Sequence, residues 1–235
     1  MGDLAVATGS PRRPALAPPV TGGRTTAHTL LLFSGIASSL LYAAMLVFIP
    51  LRWPGYSSAA QTVSELSAIG APTRSLWVTL GTVWTVLYVA FGLGVWLSAD
   101  GSRRLHAVGG AIIASGILGL FWPPMHLRGT ETTLTDTLHI VWTVATLLLM
   151  MLAIGFGATA LGRRFRLYSI ATVVILFVTG GLTGLEGPDV AANLPTPWIG
   201  VWERMSQAVW LLWVVVLAVA LLRRPATARP TLEVP

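Results

Sequence analysis

An all-α bundle of six membrane-spanning helices is the fold that this sequence predicts, on three observations. Of its 235 residues 54% are hydrophobic and only 10% are charged, with mean hydropathy +0.73, whereas a soluble domain carries about 25% charged residues. Six apolar runs each approach the roughly 20 residues that cross a hydrocarbon core of about 30 Å. Arginines, the sole basic side chains besides histidine, cluster at the ends of those runs, which is the pattern of a topology signal rather than of a nucleic-acid surface. Together the runs leave no room for a second globular domain.

Residues 1–27 are rich in proline and glycine, contain Arg12, Arg13 and Arg24, and lack apolar periodicity, so a disordered cytoplasmic tail is expected. The membrane domain then occupies 28–224. Its first run, Thr29 to Ile49, is too long for a signal-peptide core and reads as a retained helix, with Ser34, Ser38 and Tyr42 on one mildly polar face. The next stretch, LRWPGYSSAAQTVSELSAIGAPTR, is too polar to span. Ser57 or Ser58 would cap a short helix in it, and Gly70 and Pro72 would end one.

The second span runs from Leu76 to Leu97, with Trp77, Gly81, Trp84 and Tyr88 at helical spacing. Asp100 to Arg104 turns the chain into a third span, Leu105 to Trp122. Gly110 with Ala114 and Ser115 with Gly119 are small-xxx-small pairs there, a spacing that lets backbones approach closely. Pro123 and Pro124 stop this helix. Span four, Thr135 to Ala160, carries Asp136, His139, Thr143 and Thr146 on one face. Span five, Leu167 to Leu185, has a further pair in Gly180 and Gly184, and span six runs from Ile199 to Leu222, with Glu203 and Gln207 one turn apart. Residues 225–235 form a second cytoplasmic tail. The three hairpins share no residue-level match that would indicate a repeat.

With six spans and both termini on one side, that side holds eleven of the fifteen arginines, which makes it cytoplasmic by the positive-inside rule. The absence of lysine beside abundant alanine, glycine, valine and arginine fits GC-rich coding and a bacterial plasma membrane. Zero cysteine removes disulfides, thiolate nucleophiles and cysteine-ligated metals. The opposite face keeps most of the acids, and the polar chemistry is concentrated in WPPMHLRGTETTLTDTLH, residues 122–139.

Ionisable residues within a membrane bundle face its interior or water, since exposing them to lipid costs about 2.5 to 3.5 kcal/mol. Glu65, His126, Asp136, His139 and Glu203 are therefore the candidate catalytic residues. Asp136 lies one turn from His139, a spacing at which a carboxylate orients an imidazole base. Ser64 and Glu65 point about 100° apart if helical, so they form no triad, and Ser64 is better read as part of an interfacial helix. Arg128 and Arg204 suit bidentate binding of a lipid phosphate or carboxylate; Trp122 and Gln207 complete the substrate-binding candidates. Trp122 also fits an interfacial aromatic belt. No cofactor is predicted. Zinc is the alternative, with Asp136 and His139 as ligands if His126 and Glu65 or Glu203 come close, although the spacing of His126, Asp136 and His139 matches no metal motif.

Four pieces of this sequence, VSELSAIGAPTR at 63–74, the proline-broken stretch from Trp122 to Gly129, DTLH at 136–139 and GVWER at 200–204, together resemble the bacterial domain-of-unknown-function 998 family, which looks distantly similar to Frag and DRAM-type six-helix membrane proteins. The resemblance covers about 29 to 222. It implies a compact six-helix bundle with polar motifs on its non-cytoplasmic side and no established activity. The family's Ser-x-Leu motif falls on Ser64, Glu65 and Leu66, its acidic and histidine positions on Asp136 and His139, and its late arginine on Arg204. Where the family's break reads as proline closely followed by aspartate, MHLRG intervenes here, a departure that bears on His126.

Two classes of function follow. In one, the polar cluster binds or hydrolyses a lipid or other amphiphile, with membrane lipids as partners and no nucleic acid. In the other, the protein is a non-enzymatic scaffold, assembly or transport component whose polar residues hold the bundle closed.

Overall fold

The apolar runs fold as helices, and the polar segments between them gather at one end. The computed structural model describes residues 25–224, so the expected tails at 1–24 and 225–235 lie outside the described residues. Six long helices and a short one follow in order. They are α1 (Thr26–Phe48), α2 (Arg74–Leu97), α3 (Arg103–Leu120), α4 (Leu134–Ala160), α5 (Arg163–Leu185), the short α6 (Gly187–Ala191) and α7 (Ile199–Leu222). α1 starts inside the stretch expected to be tail, because the Thr25 hydroxyl accepts from the His28 backbone N–H at 3.2 Å and caps it.

Five of these helices, α1, α2, α4, α5 and α7, are long and apolar enough to cross a membrane. α3 falls outside that group. Its 18 residues rise about 27 Å, and Arg103, Arg104 and His106 occupy its first turn while four glycines dilute the rest. It nevertheless runs the length of the bundle, since Arg104 at its start meets the last turn of α4 and the chain beyond its end meets the segment between α1 and α2.

Successive long helices pack side by side, α1 on α2, α2 on α3, α3 on α4, α4 on α5 and α5 on α7, and α7 closes the ring on α1. Glycines set the close approaches. A Cβ on Gly94 would press on the Leu31 backbone, and one on Gly109 would lie 2.7 Å from the Trp96 backbone nitrogen. The tight positions of α3 are thus Gly109 and Gly116, one residue before and one after the small-residue positions singled out by spacing. Gly110 and Gly119 meet side chains at ordinary or slightly tight contact, and nothing lies within 4 Å of a Cβ on Gly180 or Gly184. Among the described residues that α5 pair has no close neighbour at its Cβ positions.

The core between the helices is aromatic. Trp213 is fully buried, donates to the Ser169 hydroxyl at 3.0 Å and lies against Gly157, while Trp210 stacks on it. At the end opposite the lid described below, Arg104, Arg166 and Arg224 donate to the carbonyls of Thr159, Ala158 and Ala160. Three elements thereby satisfy the orphan carbonyls of α4, where the helix dipole favours cations.

A lid over one end of the bundle and a serine–histidine contact

Residues 50–73 form a lid across the end of the bundle where α1 stops and α2 begins. Two 3₁₀ turns shape it, Pro50–Arg52 and Ser64–Ser67; the second begins with Val63 at its N-cap and no side-chain cap, so neither Ser57 nor Ser58 caps a helix here. Val63 and Leu66 are buried with Met45 and Ile49 of α1, so the serine-bearing turn is seated on an apolar cluster. Because a 3₁₀ turn advances about 120° per residue, adjacent Ser64 and Glu65 face different partners.

Glu65 is fully buried, and Arg128 grips it with two bonds, Nε to Oε1 at 2.8 Å and a terminal nitrogen to Oε2 at 2.9 Å. The backbone N–H and hydroxyl of Thr62 donate to the same carboxylate at 2.7 and 3.1 Å. Arg128 also reaches the Thr196 hydroxyl at 3.1 Å and the Ala60 carbonyl at 3.3 Å. Segments before α2, before α4 and before α7 are thus tied at one ion pair, in the bidentate geometry that arginine alone provides. Gly129, at φ +83°, turns the chain beside Asn193, and the Ile69 N–H donates to the Met125 carbonyl at 2.8 Å, adding a single β-bridge.

α7 holds the lid from the other side. Glu203 accepts from the Val63 N–H at 2.7 Å and from Gln207 at 3.4 Å. Arg204 donates to the Ser58 carbonyl at 2.7 Å and to the Tyr56 hydroxyl at 2.8 Å, and its guanidinium lies over the Tyr56 ring. Burial pushes the Tyr56 phenol up to about 12 against the opposing pull of Arg204, so it stays protonated and donates to the Thr62 carbonyl at 2.7 Å. Gly200 explains why GVWER begins with glycine: its N–H donates to Ala59 at 2.9 Å, and a Cβ there would run into the carbonyls of Ser58 and Gln61. Gly200→Ala is therefore expected to lift the lid and lower stability by about 1 to 3 kcal/mol, read as a lowered thermal midpoint in detergent; a midpoint equal to the parent's would contradict this packing.

Asp136 does not pair with His139. It sits at the third position of α4, accepts from the backbone N–H and the hydroxyl of Thr133 at 2.8 and 2.9 Å in a capping box, and takes the His126 backbone N–H at 2.7 Å and its Nδ1 at 3.0 Å. An early-turn carboxylate points back toward the start of its helix, away from a residue one turn further on. His126 is thereby placed, as the partner that docks the incoming segment onto α4. Thr133-x-x-Asp136 is the sequence signal that discloses this arrangement.

His139, 7% exposed, has a different set of neighbours. Nδ1 lies 2.8 Å from the Pro123 carbonyl and 3.1 Å from the Trp122 indole nitrogen, and Nε2 lies 3.1 Å from the Ser64 hydroxyl. Nδ1 cannot both donate and accept. The two contacts compete: an unprotonated Nδ1 would accept from the Trp122 N–H but set its lone pair against the Pro123 carbonyl oxygen at 2.8 Å, and on this shorter contact we assign the proton to Nδ1, with Pro123 as its acceptor. Nε2 is then the free lone pair, and the Ser64 hydroxyl donates to it. Ser64 is only partly buried, unlike Glu65 beside it. The reading of Ser64 as part of an interfacial helix rests on Glu65 pointing away from it; the partner found lies 75 residues away, and no local spacing discloses the contact.

Among the described residues no group of three or more histidine, aspartate or glutamate side chains is arranged to hold a metal ion. His126 bonds Asp136, whereas His139 meets Pro123 and Ser64.

A family model described as "Protein of unknown function (DUF998)" matches residues 36–220, which takes in the lid, the segment that carries Arg128 and most of α7. No curated protein and no solved structure matches the chain.

Proposed function

The chain belongs to the DUF998 family of proteins of unknown function, and from that premise we propose that it is a multi-pass protein of a bacterial plasma membrane in which Ser64 and His139 hydrolyse an acyl ester of a lipid or similar amphiphile. The Ser64 hydroxyl at 3.1 Å from His139 Nε2, with Nδ1 committed to the Pro123 carbonyl, is the observation that carries this reading. A nucleophile within hydrogen-bond reach of a base that a third group orients is the common signature of covalent acyl transfer. Here a backbone carbonyl takes the place of the usual carboxylate.

In the step proposed, Ser64 Oγ attacks the ester carbonyl and its proton passes to Nε2. The Nδ1–H bond to Pro123 fixes the ring while it carries positive charge. The imidazolium then returns the proton to the departing alcohol, and water repeats the sequence to release the acid. Glu203, holding the Val63 N–H, and the Glu65–Arg128 pair position the turn that presents Ser64. They are positioning residues in this reading and do not act as acids or bases.

All six long helices cross the bilayer, and the lid lies on the non-cytoplasmic side. Arg103, Arg104, Arg163, Arg164, Arg166, Arg223 and Arg224 support this orientation, since they sit at the end away from the lid. α3 crosses despite its polar first turn because its two ends meet opposite ends of the bundle.

One observation favours a second reading. Every carboxylate of the cluster is engaged in holding segments together: Glu65 with Arg128, Glu203 with Val63, and Asp136 with His126 and Thr133. That suits a non-enzymatic scaffold, assembly or transport component whose Ser64–His139 bond is one more fastening. Labelling of the purified protein by a fluorophosphonate separates the two. The hydrolase reading expects a covalent adduct that peptide mass spectrometry maps to Ser64 and that is absent after His139→Ala; an unlabelled parent leaves the scaffold reading.

A further inference from the structure

Four arginines lie on the lid side of the bundle, namely Arg52, Arg74, Arg128 and Arg204, and three of them are occupied in building the lid. Arg128 holds Glu65, Arg204 holds Tyr56 and the Ser58 carbonyl, and Arg74 holds the Ser67 carbonyl. Arg52 is different. It is exposed, and its side chain makes no hydrogen bond or ion pair among the described residues.

Arg52 stands at the mouth of a groove of about 320 Å³ between the lid-side ends of α1 and α2. Leu41, Met45 and Phe48 line it from α1, and Leu76 and Leu80 from α2. Phe48 is 63% exposed and Leu76 is 41% exposed, so the groove opens away from the helix ring toward the place where lipid would lie. From Leu41 to Phe48 it follows α1 for about 10 Å. Its lining has no charge other than Arg52, and the two acids nearest in the lid architecture, Glu65 and Glu203, have their own donors.

We propose that this groove seats the acyl chain of an anionic phospholipid from the leaflet on the lid side, with the lipid phosphate on Arg52. An apolar channel matches the chain, and a guanidinium that has no partner within the protein matches the phosphate, which it grips in a bidentate fork. Trp53, next to Arg52, is the amphipathic residue type that favours the headgroup level. The groove also touches the site. Met45 and Ile49 form its back wall and are packed on Val63 and Leu66, the residues on either side of Ser64 and Glu65. A bound chain therefore buttresses the turn that carries Ser64. This inference needs the membrane crossing proposed above but not the hydrolysis, so it stands or falls separately.

The test uses the full chain in detergent with phosphatidylglycerol or phosphatidylcholine of identical acyl chains, retained lipid being read by native mass spectrometry and stabilisation by the thermal midpoint. The parent should retain phosphatidylglycerol about tenfold over phosphatidylcholine, because both carry the phosphate but the choline cation competes with Arg52 for it, which weakens about one charge-assisted contact. Arg52→Gln, at an exposed position whose side chain makes no hydrogen bond or ion pair among the described residues, should bring that ratio close to unity. Ala44 of α1 also lines the groove, and Ala44→Trp, which fills it, should lose both lipids. Ser64→Ala should keep the parent's preference, which separates lipid seating from ester chemistry. A parent without preference, or an Arg52→Gln variant that keeps it, overturns the proposal whether or not Ala44→Trp folds.

Discussion

Ser64→Ala and His139→Ala should each lower ester hydrolysis by up to about 10⁶-fold, and the double variant should be no slower than either single one. The reason lies in the geometry. The hydroxyl is nucleophilic only while Nε2 removes its proton, so deleting either partner deletes the same step. A p-nitrophenyl acyl ester presented in mixed micelles gives the rate, and the thermal midpoint gives the control. For Ser64→Ala the loss is a single part-buried contact, worth about 1 kcal/mol, so its midpoint should move little while turnover vanishes; His139→Ala also loses the contacts to Pro123 and Trp122 and should fall further. Equal turnover in parent and Ser64→Ala would leave the hydrogen bond as a fastening only. His139→Gln is the informative neighbour, because an amide keeps a donor toward Pro123 and a polar contact to Ser64 but cannot carry the proton. It should match His139→Ala in rate and the parent in stability.

The helices were legible because length and apolarity decide them directly. Runs of about 20 apolar residues bounded by arginines have one economical fold in a bilayer, and α2, α4 and α7 begin and end within two residues of the expected bounds. α5 starts four residues earlier, at Arg163, because the basic turn GRRFR is itself helical. The gathering of Glu65, His126, Arg128, Asp136, His139, Glu203 and Arg204 at one end was legible for the same reason, since alternating spans bring every second connection to one face.

Partnership was less legible. Spacing put Asp136 and His139 on a common face, but a side chain in the first turn leans toward the helix start, and the capping box with Thr133 claims the carboxylate. Glu65 with Arg128 spans 63 residues and Ser64 with His139 spans 75. Such pairs are chosen by how loops fold back over the bundle, and neither period nor propensity encodes that. The glycines show the same limit: spacing picked out Gly180 and Gly184, which meet nothing, yet missed Gly200, whose absent Cβ admits the lid.

The largest loss of stability is expected from Arg128→Met, because it removes the only cation bonded, among the described residues, to a fully buried carboxylate. Breaking one side of a buried pair costs about 3 to 5 kcal/mol, most of it the penalty of leaving the other charge unpaired. For a chain of this size that is a fall in thermal midpoint on the order of 10 °C. Glu65→Gln should cost less, since the amide keeps an acceptor for Arg128 and for the Thr62 N–H, and the guanidinium keeps the Thr196 and Ala60 oxygens. The double variant Glu65→Leu with Arg128→Met should recover much of the Arg128→Met loss, because neither buried charge then remains. A midpoint for Arg128→Met within 2 °C of the parent would mean that water replaces the guanidinium freely and that the lid is not closed there. The same variants bear on chemistry. Arg128 lies on the segment before α4 and Glu65 next to Ser64, so losing their bond frees the turn from the helix that carries His139. Fluorophosphonate labelling of Ser64 should therefore fall in Arg128→Met even at temperatures where the bundle stays folded, and return in part in the double variant. If labelling followed folding alone, the ion pair would support the bundle without aligning the serine.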